Sequence, residues 1–155
     1  MFIMYDKYMD VLTKRERSYN MSQIKSDNTV PEIKLRRLLA KRGFKNYRVN
    51  YRKLFGKPDI VFLKKKIAIF VDGCFWHKCP KCFSKPITRT KFWFKKIESN
   101  LRRDRKINQE LKKKGWLVIR VWEHDIEKNS KQISDKIAII LKNKKHRAII
   151  FNIKT

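Results

Sequence analysis

The sequence predicts a single α/β domain with a central mixed β-sheet flanked by helices, and three observations support this fold class. The chain has 155 residues, which suffices for one domain with a sizeable core and hardly for two. Helical patterns and short apolar runs follow one another as helix, strands, helix, strand, helix and strand. No internal repeat or low-complexity linker interrupts this order, so one sheet covered by helices accounts for the pattern.

The first elements are helical. Residues 13–28 are polar and are expected to form a helix that ends in a loop. Between residues 30 and 41 the apolar side chains recur with helical spacing, at Ile33, Leu35, Leu38 and Leu39. This spacing predicts an amphipathic helix, which Gly43 is expected to end.

Three strand-like runs come next, at residues 46–51, 59–63 and 67–72. The three lysines at 64–66 separate the last two runs, so we expect these to form an antiparallel hairpin. A long basic helix follows at 90–114 and is closed by Gly115. The rest of the chain predicts a buried strand at 116–122, a helix at 130–143 and a last strand in RAIIFNI.

The charge of the chain points to a polyanionic partner. Lys and Arg number 41 against 14 Asp and Glu, which gives a formal net charge of +27. An AT-rich genome would explain abundant lysine, but explains less easily the nine basic residues against three acids in residues 95–114. No apolar run approaches the roughly 18 residues of a membrane span, and the N-terminus lacks the layout of a secretory signal. We therefore expect a soluble cytoplasmic protein that binds nucleic acid.

The segment VDGCFWHKCPKC, residues 71–82, contains all three cysteines of the chain: Cys74, Cys79 and Cys82. The CPKC piece has the C-x2-C spacing that holds tetrahedral zinc, and Cys74 could supply a third thiolate. A fourth ligand must come from elsewhere, and the chain offers three histidines: His77, His124 and His146. The alternative, three incidental cysteines, fits their tight spacing less well.

The segments GKPDIVF and IAIFVDG are expected to place Asp59 and Asp72 on adjacent strands. Two carboxylates there could share a divalent ion such as Mg²⁺ against a phosphodiester. A Pro-Asp before a strand is commonly only a turn. Glu32 on the preceding helix and the basic charge of the chain favour the catalytic interpretation.

The sequence resembles the very-short-patch repair endonucleases, which nick one DNA strand beside a T·G mismatch and belong to the restriction-endonuclease-like superfamily. The resemblance runs from about Asp10 to Glu123, with the shared segments in the family's order. These segments are RSYNMSQIKSDNTVPEIKLRRLL, GKPDIVF, FVDGCFWH, TRTKFWFKKIESNLRRDR and GWLVIRVWE. The resemblance implies a restriction-endonuclease-like single domain with a structural zinc site, and Mg²⁺-dependent strand-specific nicking.

The resemblance also implies catalytic roles. Asp59 would be the main Mg²⁺ ligand together with the backbone carbonyl of Val71, while Glu32 would hold metal-bound water. His77 would be the general acid or base. Asp72 stands where the best-known members have a histidine; an acid there could bind metal directly, so its role stays open.

By the same resemblance the zinc ligands are Cys74, Cys79, Cys82 and His124. Family members usually offer Cys, His, Cys and a last Cys directly after VWE. Here histidine and cysteine have exchanged places, and the knuckle holds one extra residue. Four ligands remain, so zinc is expected to be structural and Mg²⁺ catalytic.

The resemblance assigns the DNA-contacting residues as well. Phe75, Trp76 and Trp93 would insert between base pairs, although aromatic residues are more usually part of a core. Trp93, Lys96, Asn100 and Asp104 are spaced so that they share one helix face, which is predicted to face DNA. Phe94, Ile97 and Leu101 form an adjacent stripe predicted to face the sheet. Met21 and Ile24 would approach the duplex from the opposite groove.

The sequence thus predicts an endonuclease for double-stranded DNA with a T·G mismatch, arising from deaminated 5-methylcytosine, that leaves 5′-phosphate and 3′-hydroxyl ends. The alternatives are a restriction-type or broader nuclease of the same fold and a non-catalytic zinc-stabilised DNA-binding module. We expect a monomer associated with the prokaryotic nucleoid, with mismatch-repair proteins as candidate partners. Residues 1–9 are expected to be an extension, 10–143 the endonuclease domain and 144–155 a C-terminal strand or tail.

Overall fold

The computed structural model describes residues 13–23, 27–143 and 150–153. Within these ranges the chain forms a five-stranded sheet and four α-helices. The elements are α1 (Lys14–Ser22), α2 (Val30–Lys41), β1 (Arg48–Val49), β2 (Ile60–Phe62), β3 (Ile67–Asp72), α3 (Thr90–Lys113), β4 (Leu117–Trp122), α4 (Glu123–Lys142) and β5 (Ile150–Ile153). None of these helices has both the length and the apolar character that a membrane crossing requires.

The sheet is mixed, as predicted. Its strands lie in the order in which they occur along the chain, from β1 to β5. β1, β2 and β3 pair antiparallel, whereas β3, β4 and β5 pair parallel. The expected hairpin joins β2 to β3 through a short 3₁₀ turn, after which Lys66 adopts a left-handed conformation with φ 50°. The α/β class is therefore confirmed.

Two elements differ most from the prediction, the first strand and the last helix. The first strand shrinks from six residues to two, Arg48–Val49, and both are exposed at the sheet edge. The last helix begins at Glu123 rather than near residue 130 and has a kink at Asn129, where φ is −127°. Glu123 and Asp125 in its first turn suit the positive end of the helix dipole. As a result, His124 lies in the first turn of α4 rather than at the end of a strand.

The sheet buries a different cluster on each face, because successive side chains of a strand point to opposite sides. The larger cluster packs α2 and α4 against β2, β3 and β4. Its buried members are Leu35, Leu39, Ile60, Phe62, Ile67, Ile69, Leu117, Ile119, Val121, Ile126, Ile133, Ile137 and Leu141. The smaller cluster lies under α3 and consists of Ala68, Phe70, Ile107, Leu111 and Val118.

The orientation of α3 corrects the prediction for its faces. The residues that α3 buries are Ile97, Asn100, Ile107 and Leu111. Asn100 is 6% exposed, whereas Phe94 is 40% exposed. The sheet-facing side therefore includes polar residues of the predicted DNA-facing row, and Phe94 of the predicted sheet-facing stripe points outward. The prediction for the stripe is therefore confirmed for Ile97, which is buried, and wrong for Phe94, while the row predicted to face DNA has Lys96 exposed and Asn100 buried.

One glycine fixes the loop before Asp59 against α3. Gly56 has φ +85°, a conformation that residues with a side chain rarely adopt. A Cβ atom built on Gly56 would lie 2.5 Å from Cγ2 of Ile107. The loop that leads into β2 therefore packs directly on α3. This contact fixes the position of Asp59 relative to α3.

Candidate active site and metal cluster

The four predicted zinc ligands lie together. Sγ of Cys74 is 3.1 Å from Nδ1 of His124, and Sγ of Cys79 is 3.6 Å from the same atom. The ligand atoms of Cys74, Cys79, Cys82 and His124 all lie within 4.8 Å of one another. Zn–S and Zn–N bonds in a tetrahedron put ligand atoms roughly 3.5–3.8 Å apart, so this geometry fits zinc.

The topology explains how residues so distant in sequence meet. Because β3 and β4 run parallel, the loop after β3 and the first turn of α4 emerge at the same edge of the sheet. The backbone N–H of Cys74 donates to Oε1 of Glu123 at 2.6 Å, and that of Cys79 donates to the carbonyl of Cys74 at 2.8 Å. These bonds fold the cysteine loop over His124.

The chemistry of the cluster also favours a cation. Cys74 and Cys79 are buried, while Cys82 is exposed. Burial raises the pKa of the Cys74 thiol, so its thiolate is unfavourable unless a positive charge lies beside it. Nε2 of His124 lies 3.1 Å from Oδ1 of Asp125, a close electrostatic contact that is not aligned as a hydrogen bond. An acid beside the second ring nitrogen is a common arrangement for a metal-binding histidine.

Asp59 is a partly buried carboxylate at the start of β2. Its Oδ2 accepts a hydrogen bond from the N–H of Val71 at 2.7 Å. Burial raises the pKa of Asp59 to about 7, and the charges of Glu32 and Asp72 contribute to this rise. Both carboxylates therefore act on Asp59, and a divalent cation bound at Asp59 would relieve this repulsion.

Glu32 is 4% exposed and both of its oxygens have protein partners. Oε2 accepts from the N–H of Asn28 at 2.9 Å and from Nη2 of Arg36 at 2.8 Å. Oε1 accepts from the hydroxyl of Thr29 at 2.9 Å. Glu32 therefore caps the start of its own helix, as acids in the first turn often do, while its charge still acts on Asp59.

His77 is bound to a charged network. Nδ1 of His77 lies 2.5 Å from Oδ2 of Asp104 and 3.9 Å from Oδ1 of Asp72. Arg120 links the two acids, since Nη1 donates to Oδ1 of Asp72 at 2.6 Å and Nη2 to Oδ1 of Asp104 at 3.0 Å. Nε of Arg120 donates to Oδ1 of Asn108 at 3.1 Å. The network brings residues of β3, α3 and β4 to one place.

The electrostatics of the two acids differ. Burial raises the pKa of Asp72 against the opposing effect of Arg120. Burial acts in the same direction on Asp104, but the hydrogen bond to His77 and the charge of Arg120 outweigh it and lower its pKa. Asp104 is thus held ionised beside the imidazole, rather than facing outward as the helical spacing had predicted.

Arg120 and Asn108 were missed by the sequence analysis. Arg120 is 8% exposed in the middle of a strand whose other residues are mainly apolar. A charged residue in a run such as WLVIRVW is the signal that could have found the network, because a buried guanidinium requires acidic partners.

Three aromatic residues form a group of their own. Phe75, Trp76 and Trp93 are partly buried, and their ring centroids lie 5.3–5.8 Å apart in edge-to-face arrangements. None of the three belongs to either core cluster in the described chain. Nδ2 of Asn100 donates to the carbonyl of Trp76 at 3.1 Å, which ties this group to α3.

The other predicted DNA-contacting residues have mixed environments. Lys96 is exposed on α3, and Met21 on α1 is 39% exposed. Ile24 lies outside the described residues. Asn100 and Asp104 are bound to other parts of the protein, so a contact between either side chain and DNA would require these bonds to change.

Several known proteins are similar in sequence to this chain. A family model described as DNA mismatch endonuclease Vsr matches residues 9–82. The nicking enzyme V.NaeI of Lentzea aerocolonigenes is 40% identical over 135 residues, which cover 84% of this chain and 77% of the relative. V.NmeDIP of Neisseria meningitidis serogroup C is 39% identical over 140 residues, covering 88% and 93%. DNA mismatch endonuclease Vsr of Escherichia coli K12 is 42% identical over 116 residues, covering 74% and 73%.

Proposed function

The chain belongs to the Vsr family of DNA mismatch endonucleases, and we infer that it is a DNA nicking endonuclease. We propose that it cleaves one DNA strand beside a T·G mismatch and that cleavage requires Mg²⁺. Membership rests on relatives about 40% identical over most of both chains, among them the named nicking enzymes and the named mismatch endonuclease. We further propose that the α/β domain has the restriction-endonuclease-like fold, whose Pro-Asp signature corresponds to Pro58 and Asp59 here.

The observation that carries the catalytic proposal is the grouping of Asp59 and the His77–Asp104 pair around the end of β3. Asp59 and the carbonyl of Val71 are the proposed Mg²⁺ ligands, with Glu32 close enough to affect the charge of Asp59. When bound, Mg²⁺ polarises the phosphodiester and stabilises the leaving 3′-oxygen. The raised pKa of Asp59 supports this assignment, because burial and the neighbouring charges of Glu32 and Asp72 together outweigh the effect of Arg36, and such perturbed carboxylates are concentrated at functional sites.

His77 is the proposed general acid or base. A carboxylate can only accept a hydrogen bond, so Nδ1 of His77 carries the proton that Asp104 binds. This leaves Nε2 to exchange a proton with the attacking water or with a phosphate oxygen. Asp104 thereby fixes both the tautomer and the direction of the ring.

We propose that the four-ligand cluster binds one structural zinc ion. Three cysteines and one histidine complete a tetrahedron, which leaves no position for substrate or reactive water. The ion would join the cysteine loop to α4 and so hold Phe75 and Trp76 beside the active site. Phe75, Trp76 and Trp93 are proposed to insert between stacked base pairs of the DNA. The free-energy cost of separating the base pairs is lower beside a mismatch, where pairing is already weak.

The test is cleavage of strand-labelled matched, T·G and other mismatched duplexes, with Mg²⁺ and with chelator. We expect nicking of one strand of the T·G duplex only, and only with Mg²⁺. Equal cleavage of all duplexes would instead indicate a broader nuclease. Binding of all duplexes without cleavage under any metal would indicate a non-catalytic DNA-binding module.

A further inference from the structure

We propose that Arg120 is a positioning residue that orients His77 through Asp104, and that Asp72 anchors this arginine rather than binding the catalytic metal. The inference rests on the proposed function and assigns a role to the acid that replaces the family's usual histidine. It follows from the contacts of one buried guanidinium.

Arg120 is held from several directions. All three of its nitrogens donate to different side chains, and its Cζ lies 4.9 Å from the centroid of the Phe70 ring. Two acceptors, Asn108 and Asp104, belong to α3, and the third, Asp72, to β3. A planar fork with three acceptors and a ring beneath it has a single favourable orientation.

That orientation is passed on to the imidazole. Asp104 uses Oδ1 for Arg120 and Oδ2 for His77, so each oxygen has its own partner. In the absence of such partners, the χ2 torsion of an aspartate takes a broad range of values, so the carboxylate can rotate. Without Arg120 the carboxylate could turn, and the acceptor that fixes the proton on Nδ1 of His77 would no longer be held in place.

Asp72 is the third acceptor of Arg120, and it belongs to β3. Its side chain is buried, and Oδ1 lies 2.6 Å from Nη1 of Arg120. Asp72 follows Ala68 and Phe70 at intervals of two along β3, so its side chain is on the face that α3 covers. Asp59, by contrast, contacts β3 through the backbone N–H of Val71. A buried guanidinium without this partner would be costly, so the acid is required by Arg120 whether or not a metal is present.

The first test is Arg120→Lys, which keeps a positive charge but cannot reach three acceptors at once. We expect the single-turnover nicking rate to fall roughly 10–100-fold, the usual scale for losing a partner that orients a reactive group. Affinity for the T·G duplex should stay within about twofold, since Arg120 is 8% exposed and its three nitrogens all donate to protein side chains. Arg42→Lys is the matched control, because Arg42 also binds an acid, Asp135, but lies at the C-terminal cap of α2. It should keep the wild-type rate.

A double-mutant cycle separates positioning from general damage. His77→Ala should slow nicking by roughly a hundredfold or more, as expected for a general acid or base. If Arg120 acts through His77, adding Arg120→Lys to His77→Ala should cause no further loss. A further loss equal to that of Arg120→Lys alone would overturn the proposal.

The role of Asp72 is tested with Asp72→Asn and does not depend on activity alone. As an anchor, Asp72 can be replaced without changing the Mg²⁺-induced rise in melting temperature, although nicking slows. As a metal ligand, its replacement would reduce that rise, as Asp59→Asn should, and this result would overturn the proposal. The variant decides the question even if Arg120→Lys does not fold.

Nuclear magnetic resonance of ¹⁵N-histidine-labelled protein gives a readout free of any substrate. The Nδ1–H signal of His77, identified by its loss in His77→Ala, should be protected in the wild type and lost to exchange in Arg120→Lys. Retention of this signal in the variant would contradict positioning. A wild-type protein that shows the signal but nicks no mismatched duplex would overturn the proposed function alone.

Discussion

The two faces of the β-sheet are built on different principles. The face covered by α2 and α4 buries a continuous apolar cluster, with Leu35 and Leu39 from one helix and Ile133 and Ile137 from the other. The face covered by α3 is apolar only in part, and at the carboxyl ends of β3 and β4 it becomes charged. The buried residues there include Asp72, Asn100 and Arg120.

The difference separates the residues that stabilise the fold from those of the proposed active site. Burying apolar side chains stabilises a fold in proportion to the area removed from water. Burying a charged pair roughly balances attraction against lost hydration, and an apolar replacement would often be no less stable. The charged half of the α3 face is therefore better explained by the orientation of His77 than by stability.

The strongest test of this contrast is Asp59→Ala. It should abolish nicking, because it removes the proposed metal ligand, while DNA affinity changes by a few-fold at most. Nicking assays and equilibrium binding on the same T·G duplex measure the two effects. Substantial cleavage by the purified variant would refute the assignment of Asp59.

The same variant should change how stability depends on pH. The pKa of Asp59 is raised from 3.8 to about 7 in the folded protein, so its contribution to stability is present below pH 4 and lost as pH rises through 7. In Mg²⁺-free buffer the wild type should therefore lose stability between about pH 4 and about pH 7, the window set by this shift, and Asp59→Ala should lose less. Melting temperatures across this range test it, and identical slopes would contradict it.

Removal of a zinc ligand probes the edge that joins the two faces, since His124 belongs to α4 and Cys74 follows β3. The purified protein should hold one zinc ion per chain, and His124→Ala should lower both zinc content and melting temperature. Metal analysis and thermal unfolding measure the two quantities. Full zinc retention would point to a different fourth ligand.

Substitutions in the apolar face should lower stability and leave the nicking rate unchanged, the opposite of what is expected for substitutions in the proposed active site. Ile137 is 0% exposed, so Ile137→Ala should lower the free energy of unfolding by about 2–5 kcal/mol. Its nicking rate per folded molecule should stay near that of the wild type. Ile139→Ala is the matched control on the same helix, because Ile139 is 68% exposed and its loss should change stability by less than about 0.5 kcal/mol. Equal destabilisation by both would contradict the assignment of this face.

The smallest expected effect concerns recognition. Trp76→Ala should reduce the preference for a T·G over a matched duplex by about 1–3 kcal/mol, the usual contribution of a stacked ring. The salt dependence of binding should hardly change, because it reflects the phosphates neutralised by basic residues. Affinities for both duplexes at several salt concentrations separate these effects. An unchanged preference would place Trp76 in a packing role.

The sequence predicted best those features that depend on local periodicity. The helix at 30–41 was predicted at its observed bounds, and the hairpin was predicted from three lysines between two apolar runs. The four predicted zinc ligands lie together in the structure. The three cysteines could be predicted from their local spacing, and His124 from the family pattern.

What could not be predicted depends on which side chains meet across the fold. The spacing of Asn100 and Asp104 is correct for one helix face, but helical periodicity cannot tell whether a polar face meets water or a buried arginine. The pairing of Arg120 with Asp72 joins strands 48 positions apart in sequence, a distance that no local pattern spans. The start of α4 was missed because its first turn follows β4 without a loop.

The register of the sheet has a consequence for synthesis of the chain. Cys74 and His124 are 50 positions apart, and each pair of β3 and β4 residues, such as Asp72 and Trp122, has the same separation. A ribosome that adds roughly 5–20 residues per second needs roughly 3–10 seconds to make that segment. Throughout this interval β3 has an open edge and the cysteines lack their histidine. An unpaired strand edge promotes aggregation and an unbound thiol can be oxidised, so the nascent chain is open to both until His124 and β4 have been made.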